Sequence, residues 1–525
     1  MGIYLNPGND AFKESLNSEI YVDKSGLIGY TNRVLGTGRK YICVSRPRRF
    51  GKSMAANMLC AYYGRECDSK SMFDGLAAGQ IPSYSQHLNQ HDVIFLNVQQ
   101  FIRGAKSLNS LSKYIERKVL AEIRYVYPGL ISEEEHSLPD ALAMIYAQDR
   151  SGFVFIIDEW DCIFREEQKN TEGQKMYLDF LRDLLKDRTY VKLAYMTGIL
   201  PIKKYGTHSA LNIFDEFSMT EPKHLAEYVG FTENEVKKLC SIYRMDFEET
   251  QQWYDGYLLD GSIHIYNPKS IVDAMFNRKL TSYWTRTETY EALKVYIDMN
   301  FDGLKDAVTA MIGSGKCKIN PDKFQNDMTS LDNKDDVLTL LVHLGYLAYD
   351  ESSKEVFIPN MEVAGEFRNA IEGSKGWETL ADALQSSEAL LEETLRFDEE
   401  AVAQRIDQVH AETTSILSYN DENSLSCVIS IAYYSAKKDY MLIREFPSGK
   451  GFADIVFLPK KHSKKPALVV ELKWDLSAEG AIEQIKQKRY GEILKEYSGN
   501  ILLTGISYSW KTKHHECRIE KAEKS

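Results

Sequence analysis

The sequence lacks several features that mark specialised classes of protein. None of its eight cysteines belongs to a CxxC pair and no histidine spacing suits zinc, so we expect reduced, mostly buried thiols. No run of about 18 apolar residues occurs, and the first residues are polar and broken by Pro and Gly. We therefore expect neither a membrane span nor a signal peptide, and a cytoplasmic protein with no membrane partner.

Positive charge is also scarce, because 64 Lys and Arg stand against 76 Asp and Glu and leave a formal net charge of -12. This balance argues against a uniformly basic nucleic-acid-binding surface, so any such contact must use a local patch. At 43% hydrophobic residues the chain can form packed cores. A length of 525 residues is too great for one core, so we expect three domains.

The first of these domains, residues 1–220, has the pattern of a parallel α/β sheet. Short apolar runs alternate with amphipathic helical segments such as SLSKYIERKVLAEIRYVY and QKMYLDFLRDLLKD. Continuous apolar runs are typical of central strands covered on both faces. The predicted strands are KYICVS (40–45), VIFLNV (93–98), FVFIID (153–158), KLAYMT (192–197) and NIFDEFSM (212–219).

The second domain, residues 221–375, begins with short helical segments that predict a helical lid. Residues 335–360 then predict a helix ending near Gly345, followed by two short strands around a polar turn. Helix followed by hairpin is the shape of a winged helix. Such units dock on DNA or serve as packing modules, and we favour the packing role. A helical connector leads into the last domain, residues 380–525.

The stretch SRPRRFGKS (45–53) predicts a phosphate-binding loop. It lies between a predicted strand and a predicted helix, where backbone N–H groups and the helix dipole favour anions. Gly51, Lys52 and Ser53 match the GK[ST] end of the P-loop motif. We expect Lys52 to neutralise the β and γ phosphates of ATP and the Ser53 hydroxyl to bind Mg²⁺.

The same loop departs from the GxxxxGK[ST] pattern at Arg46, which stands where the first glycine is usual. A residue with a Cβ is less free to take a positive φ angle, so we expect the loop to be wound differently there. Arg48 and Arg49 are candidates for additional phosphate contacts, with solvent or a partner domain as the alternative.

A second nucleotide element is FVFIIDEWD, because Asp158 stands at the carboxyl end of a predicted buried strand, where it can hold Mg²⁺ through water. Glu159 follows, in a position suited to polarise the water that attacks the γ-phosphate. Both acids could instead only end the strand and cap the next helix, a role that the upstream P-loop disfavours. Thr197, at the end of KLAYMTG, is a candidate sensor of the γ-phosphate.

The order of motifs resembles a known family. YVDKS (21–25), SRPRRFGKS, FIIDEWD, MTGILPIKK (196–204) and WYDGY followed by IYNPKSI (253–271) are together similar to AAA-ATPase-like proteins with a C-terminal PD-(D/E)XK nuclease domain. The resemblance covers nearly the whole chain. It implies a P-loop switch of the signal-transduction branch, a winged-helix element and a nuclease-like α/β domain.

The third domain has its own candidate site in GFADIVFLP (451–459) and PALVVELKWD (466–475). Glu471 and Lys473 share one face of a predicted strand, and Asp454 in the neighbouring strand can approach them in a hairpin. Two carboxylates that bind Mg²⁺ and a lysine that orients water suit phosphodiester hydrolysis. The resemblance adds Glu422 as a further metal ligand and Gln484 beside the core motif. An ordinary surface ion pair is the alternative.

The C-terminal segment is basic, since residues 437–525 carry 18 Lys and Arg against 12 Asp and Glu. This asymmetry suits contact with a nucleic-acid backbone, and it also suits a plain solvated surface.

We expect ATP, Mg²⁺ and DNA as ligands and allow a homo-oligomer. The predicted function is an ATP-driven switch coupled to a Mg²⁺-dependent nuclease, in a mobile element or in defence against foreign DNA. The alternatives are an ATP-dependent regulatory or scaffolding protein that binds nucleic acid without cleaving it, and a metabolic P-loop kinase.

Overall fold

The computed structural model describes residues 2–202, 211–284, 290–299, 301–325, 328, 331–413, 422–448, 451–460, 463–487 and 499–522. The chain forms two compact units. The first comprises Met1–Phe247, Tyr254–Trp284 and Lys318–Val356, and the second comprises Glu248–Trp253, Thr285–Cys317 and Phe357–Ser525. The domain boundaries near residues 220 and 380 stay predictions.

A five-stranded parallel sheet forms the centre of the first unit. Its strands are β1 Tyr41–Ser45, β2 Asp92–Asn97, β3 Phe153–Asp158, β4 Val191–Gly198 and β5 Asp215–Phe217. The spatial order is β2-β3-β4-β1-β5, and β1 and β3 are buried along their whole length. The predicted parallel α/β sheet is thus confirmed. Because β4 lies between β1 and β3, the carboxyl ends of all three strands meet at one edge.

Helices of the first unit surround this sheet. They are α1 Asp10–Leu16, α2 Leu27–Val34, α3 Lys52–Tyr63, α4 Lys70–Phe73, α5 Tyr84–His87, α6 Val98–Gly104, α7 Leu111–Val126, α8 Leu138–Asp149, α9 Cys162–Glu166 and α10 Thr171–Leu185. In α7 the buried residues Leu111, Ile115 and Val119 recur every four positions, which produces the apolar stripe that the sequence predicts. Short 3-10 helices occur at Ala77–Gln80 and Leu108–Ser110.

The chain after β5 continues with a 3-10 helix at Lys223–Tyr228 and with α11 Glu233–Tyr243, α12 Phe247–Tyr254 and α13 Pro268–Asn277. It also contains the strands β6 Phe231–Thr232, β7 Tyr257–Leu259 and β8 Ile263–Tyr266, which form an antiparallel sheet of order β6-β8-β7. This small sheet differs from the purely helical pattern expected. Strands of two to four residues are too short to show a period of two in the sequence.

A helix and hairpin occur where the winged-helix pattern predicts them. They are α16 Lys334–Leu344, β10 Ala348–Asp350 and β11 Glu355–Phe357, and β9 Cys317–Lys318 completes a sheet of order β10-β11-β9. A 3-10 turn at Pro321–Lys323 precedes the helix. Gly345 follows α16 with a φ of 90°, a left-handed conformation that ends helices and favours glycine.

The second unit contains a five-stranded mixed sheet with helices. The strands are β12 Tyr440–Ser448, β13 Gly451–Pro459, β14 Ala467–Trp474, β15 Ile501–Ser509 and β16 His514–Lys521, in the order β12 to β16. The pair β14 and β15 is parallel, and the other neighbours are antiparallel. The helices are α14 Tyr290–Ile297, α15 Leu304–Ile312, α17 Met361–Glu372, α18 Glu378–Leu395, α19 Glu399–Thr413, α20 Glu422–Ala432 and α21 Ala478–Gln487, with a 3-10 helix at Tyr434–Lys438.

One face of this sheet packs against α21. Val469 and Val456 from the strands and Ile482 and Ile485 from the helix belong to one buried apolar cluster. Since successive side chains of a strand point to opposite faces, the odd-numbered residues of β14, Glu471 and Lys473 among them, face the side on which α21 lies.

Two further properties concern the described part of the chain. All eight cysteines are free thiols, six of them buried and two partly exposed. None of the described helices combines the length and the apolar content that a bilayer crossing requires.

Candidate functional site

The loop between β1 and α3 has the backbone of an anion-binding turn. Gly51 precedes the first residue of α3 with a φ of 93°, and Arg49 is also left-handed at 68°. A Cβ at Gly51 would meet no atom within 4 Å, so the backbone conformation rather than crowding favours glycine there. Arg48 and Arg49 are both exposed. The side chains of Arg48 and Arg49 are therefore exposed just before the amino end of α3.

Arg46, the departure from the usual motif, is buried and is not among the residues with positive φ. Its Nη1 donates hydrogen bonds to the carbonyl oxygens of Ser45, Phe217 and Ser218, each at 2.9 Å. Burial lowers the pKa of the guanidinium to about 10. The residue thus connects the start of the loop to the end of β5, a contact that glycine could not make.

Lys52 is buried at the first position of α3. Its Nζ donates to the carbonyl oxygens of Arg46 and Pro47, both at 2.9 Å. Burial lowers the pKa of this amine, while the nearby Glu159, Asp161 and Asp158 act in the opposite direction. The ammonium therefore lies within the loop and close to acids, with two carbonyls as partners that a phosphate oxygen can replace.

Asp158 is the centre of a polar cluster at the carboxyl edge of the sheet. Its carboxylate accepts hydrogen bonds from Ser53 Oγ at 2.8 Å, Thr197 Oγ1 at 2.5 Å and Asn97 Nδ2 at 3.3 Å. These groups come from α3, β4 and β2, which meet here because parallel strands end at a common edge. Asp158 is 1% exposed. An oxygen-rich group of this kind suits Mg²⁺.

Glu159 leaves β3 in a left-handed conformation, with a φ of 55°. Its Oε2 is paired with Nη2 of Arg165 on α9, whose Nε also binds Asp161 at 3.2 Å. Burial raises the pKa of the Glu159 carboxyl, with Lys52 acting in the other direction. The ion pair with Arg165 holds the Glu159 carboxylate beside the polar cluster around Asp158 and limits its rotation.

The second site is formed by β13 and β14 of the mixed sheet. Their antiparallel register pairs Ile455 with Val470, the residues next to Asp454 and Glu471 in the two strands. Asp454 Oδ2 accepts the backbone N–H of Leu472 at 2.7 Å. The strand β13 begins at Gly451, so Asp454 lies inside the strand.

Glu471 is 1% exposed and lies among polar side chains. Its Oε1 accepts hydrogen bonds from Lys473 Nζ at 3.2 Å and from Nε2 of Gln484 on α21. Three predicted residues of the second site are thus in direct contact, and Asp454 lies beside them. Glu422 is the first residue of α20, and its side chain lies outside the described residues.

Two tryptophans of the C-terminal region differ in exposure. Trp474 is half-buried, with its ring centroid 5.0 Å from that of Tyr508. Trp510 is 59% exposed. It follows the end of β15 at a turn.

A third group of ligand-type side chains lies in the first unit after β5, where Glu233, Asp255 and His264 have oxygen or nitrogen atoms within 4.8 Å of one another. His264 Nδ1 is 2.9 Å from Asp255 Oδ2, and Glu233 is paired with Lys237. These contacts account for the group without a metal ion.

Comparison with known families assigns both regions. The family model described as "Predicted AAA-ATPase" matches residues 8–207, and that of the "PD-(D/E)XK nuclease superfamily" matches residues 420–517. Residues 8–207 are thus similar to AAA-ATPase-like proteins, and residues 420–517 are similar to the PD-(D/E)XK nuclease superfamily. The two matched segments contain the polar cluster around Asp158 and the contacts of Glu471, respectively. The resemblance that the motifs predict is thereby confirmed.

Solved structures with similarity to this chain include the following two proteins. "The walker-type atpase paby2304 of pyrococcus abyssi" is 13% identical with a TM-score of 0.34, over 66% of this chain and 94% of the other. The Aeropyrum pernix ORC2 protein, solved as ADPNP-ADP complexes, is 13% identical with a TM-score of 0.30, over 69% and 97%. No curated protein matches the chain.

Two residues of the ATPase-like region join the site without having been predicted. Asn97 ends β2 next to Asp158, and Arg165 binds both Glu159 and Asp161. The rule that selected Asp158, a polar residue at the end of an apolar strand, applies equally to Asn97 in VIFLNV. Arg165 stands four residues after Asp161, a spacing at which helical charges pair.

Proposed function

We propose that this protein is an ATP-binding and ATP-hydrolysing switch coupled to a Mg²⁺-dependent nuclease that acts on DNA. The observation that carries the proposal is the presence of two separate acid and lysine clusters, each in a matched family region. Lys52 and Asp158 lie in one, and Glu471 and Lys473 in the other. We further propose that the protein acts in the cytoplasm, as part of a mobile element or of defence against foreign DNA, and forms a homo-oligomer.

The residues of the first site fit ATP and Mg²⁺. Backbone N–H groups at the amino end of α3 and the Lys52 ammonium suit phosphate oxygens, and Arg48 and Arg49 are exposed for further contacts. Ser53 and Asp158 would hold the metal ion, which would neutralise charge on the phosphates. Glu159 would orient the attacking water, and Thr197 would sense the γ-phosphate through its bond to Asp158.

Contacts within the first unit support a switch, because lid and winged-helix elements touch the loop. The ring of Phe50 lies 5.6 Å from that of Tyr257, measured between centroids. The Tyr257 hydroxyl donates to the carbonyl of Gly345, which follows α16. A Cβ at Gly345 would lie 2.8 Å from Cβ of Pro47. Movement of the loop on nucleotide binding would therefore displace both neighbours.

The residues of the second site fit a divalent metal ion and a phosphodiester. Asp454, Glu471 and Glu422 would hold the ion, which would supply an activated water and neutralise charge on the phosphate. Lys473 is 12% exposed and close enough to Glu471 to orient water beside it. Gln484 positions Glu471 by donating to its Oε1. The basic balance of residues 437–525 supports approach to a nucleic-acid backbone.

The nuclease proposal is tested with linear, circular and single-stranded DNA and with RNA, each with and without ATP and Mg²⁺. Wild type is expected to cleave DNA only with Mg²⁺, and Asp454→Asn or Lys473→Met to lower the rate by roughly 10²–10³-fold. Lys486→Met is the control, since this exposed lysine on α21 is paired with Glu520 at the surface. Binding of nucleic acid without cleavage, equal in all variants, would favour the regulatory or scaffolding protein instead.

The switch proposal is tested by ATP hydrolysis and by the effect of ATP on cleavage. Lys52→Ala is expected to abolish nucleotide binding, while Lys70→Ala, at an exposed lysine paired with Asp74, leaves it unchanged. Glu159→Gln should bind ATP and fail to hydrolyse it. ATP hydrolysis at the wild-type rate in Lys52→Ala would refute the assignment of the loop. Cleavage independent of ATP would refute the coupling alone.

A further inference from the structure

The second unit contains a cavity of about 320 Å³ that neither proposed site uses. Its walls come from the turn after α15, the segment before α17, the 3-10 helix Tyr434–Lys438 and strand β12. The volume falls within the range of small-molecule sites, which is about 300–1,000 Å³. The size alone therefore allows a ligand of a few tens of atoms.

The charge of the cavity has one sign. The residues described as lining it include Lys316, Lys437 and Arg444, and no Asp or Glu. Lys437 Nζ donates to Ser314 Oγ at 3.2 Å and lies 4.8 Å from the centre of the Tyr434 ring. In the part of the chain that the structure describes, Lys437 has no carboxylate partner.

Arg444 is held in place by neutral acceptors. Its Nη1 donates to the carbonyl oxygens of Gly313 and Ser314 at 3.3 and 3.2 Å, and its Nη2 donates to Ser426 Oγ at 2.5 Å. Among the described residues it too has no carboxylate partner. Burial, with Arg444 as a second cause, lowers the pKa of Lys437 to about 8. Two neighbouring cations without a counter-charge create a site that an anion would stabilise.

The cavity is separate from the nuclease-like site, as strand register indicates. Arg444 pairs with Ile455 across β12 and β13, and Ile455 pairs with Val470 on β14. Directly paired residues share a face of a sheet, and neighbours along a strand alternate. Arg444 is therefore on the opposite face from Asp454 and Glu471.

The remaining lining is apolar and aromatic. Phe357, Tyr440 and Met361 line the cavity together with other aliphatic side chains, and Gln252 and Asn360 add amide groups. Flat rings favour stacking with planar groups, and amides can bond the edge of a heterocycle. The walls thus match a ligand that has a planar body as well as negative charge.

We propose that this cavity binds a small phosphorylated ligand with a planar aromatic body, of the nucleoside monophosphate class. A phosphate monoester carries nearly two negative charges at neutral pH, which match Lys437 and Arg444. The planar body occupies the aromatic wall. The inference does not depend on ATP hydrolysis or on DNA cleavage.

The test is calorimetric titration of the full chain with AMP, GMP, CMP and UMP, with inorganic phosphate, and with the corresponding nucleosides. At least one monophosphate is expected to bind at least about tenfold more tightly than phosphate or its nucleoside. Lys437→Met and Arg444→Met should each weaken this binding at least about tenfold. Lys438→Met is the matched control, an exposed lysine at the next position, and should change it less than about twofold. Lys52→Ala should bind as wild type, which excludes the P-loop as the site.

A second measurement keeps the proposal testable if the methionine variants do not fold. Lys437→Arg should retain binding at pH 9, where wild type weakens because Lys437 loses its proton above about pH 8. Arg444 and Cys427 are the ionisable groups that act on Lys437. No binding of any monophosphate to wild type would overturn the proposal. Phosphate that binds as tightly as the monophosphates would also overturn it, as would binding unchanged in Lys437→Met.

Discussion

Replacement of Arg165 by methionine removes a cation that bridges Glu159 and Asp161. The Arg165 side chain is 6% exposed and that of Asp161 is fully buried. Removing one partner of a buried ion pair costs about 3–5 kcal/mol, because the remaining charge stays buried without compensation. We expect Arg165→Met to lower the free energy of local unfolding around Asp161 by this amount.

The matched control is Arg182→Met on α10. Arg182 also binds two acids, Asp179 at 2.7 Å and Asp183 at 3.1 Å, but its side chain is 41% exposed. Exposed ion pairs contribute about 0–1 kcal/mol. The two substitutions therefore differ in burial and not in the number of partners, and Arg165→Met should cost several times more.

The assay is amide hydrogen exchange of residues 199 and 200, whose N–H groups donate to Asp161 Oδ2 at 3.0 and 2.8 Å. A loss of about 3–5 kcal/mol corresponds to exchange that is faster by roughly 10²–10³-fold or more. Arg182→Met should leave these amides within a few-fold of wild type. Equal exchange in the two variants would refute the reasoning that burial determines the strength of these pairs.

The penalty in Arg165→Met should also depend on pH. Burial already raises the pKa of Glu159 in the folded protein, so the native state binds its proton more tightly than the unfolded state does. Stability from this group is therefore highest at low pH and falls as the pH rises through the raised pKa. Loss of Arg165 raises the pKa of Glu159 further. The stability lost in Arg165→Met should therefore be smaller at pH 5 than at pH 7. A penalty that grows on acidification would contradict this.

Two further predictions concern backbone conformation and thiols. Gly345→Ala should lower the unfolding midpoint in urea more than Gly51→Ala, because both glycines have positive φ but only a Cβ at Gly345 meets Pro47. We expect a loss of about 1 kcal/mol in the free energy of unfolding for Gly51→Ala and a larger loss for Gly345→Ala. Equal losses would contradict the steric argument. In a thiol-reagent titration, Cys67 and Cys317 should react first and the six buried cysteines only after unfolding; rapid reaction of all eight in the native protein would contradict the described burial.

Local sequence signals were sufficient for several parts of the two sites. Continuous apolar runs predict β1 and β3, and SRPRRFGKS between a strand and a helix predicts the loop with Lys52 at the start of α3. Glu471 and Lys473 share a face because side chains alternate along a strand, so residues two positions apart lie on the same side. These features depend on neighbours in the chain, so they can be predicted without knowledge of strand order.

Other parts required the tertiary structure. Asn97 meets Asp158 only because β2 is the neighbour of β3, and Thr197 does so because β4 lies beside it. In the sequence, Arg46 is only a departure from the P-loop motif. Its hydrogen bonds to the carbonyl oxygens of Phe217 and Ser218, about 170 residues away, give it a structural role that only the fold shows.

The sequence by itself thus determined which residues stand at strand ends and helix starts, since those positions follow from the periods of the apolar residues. Only the tertiary structure decided which of these ends lie together and which cations, such as Lys437 and Arg444, line one cavity. The physical reason is that strand order and register are chosen by packing of the whole core, and no local stretch of chain contains that information.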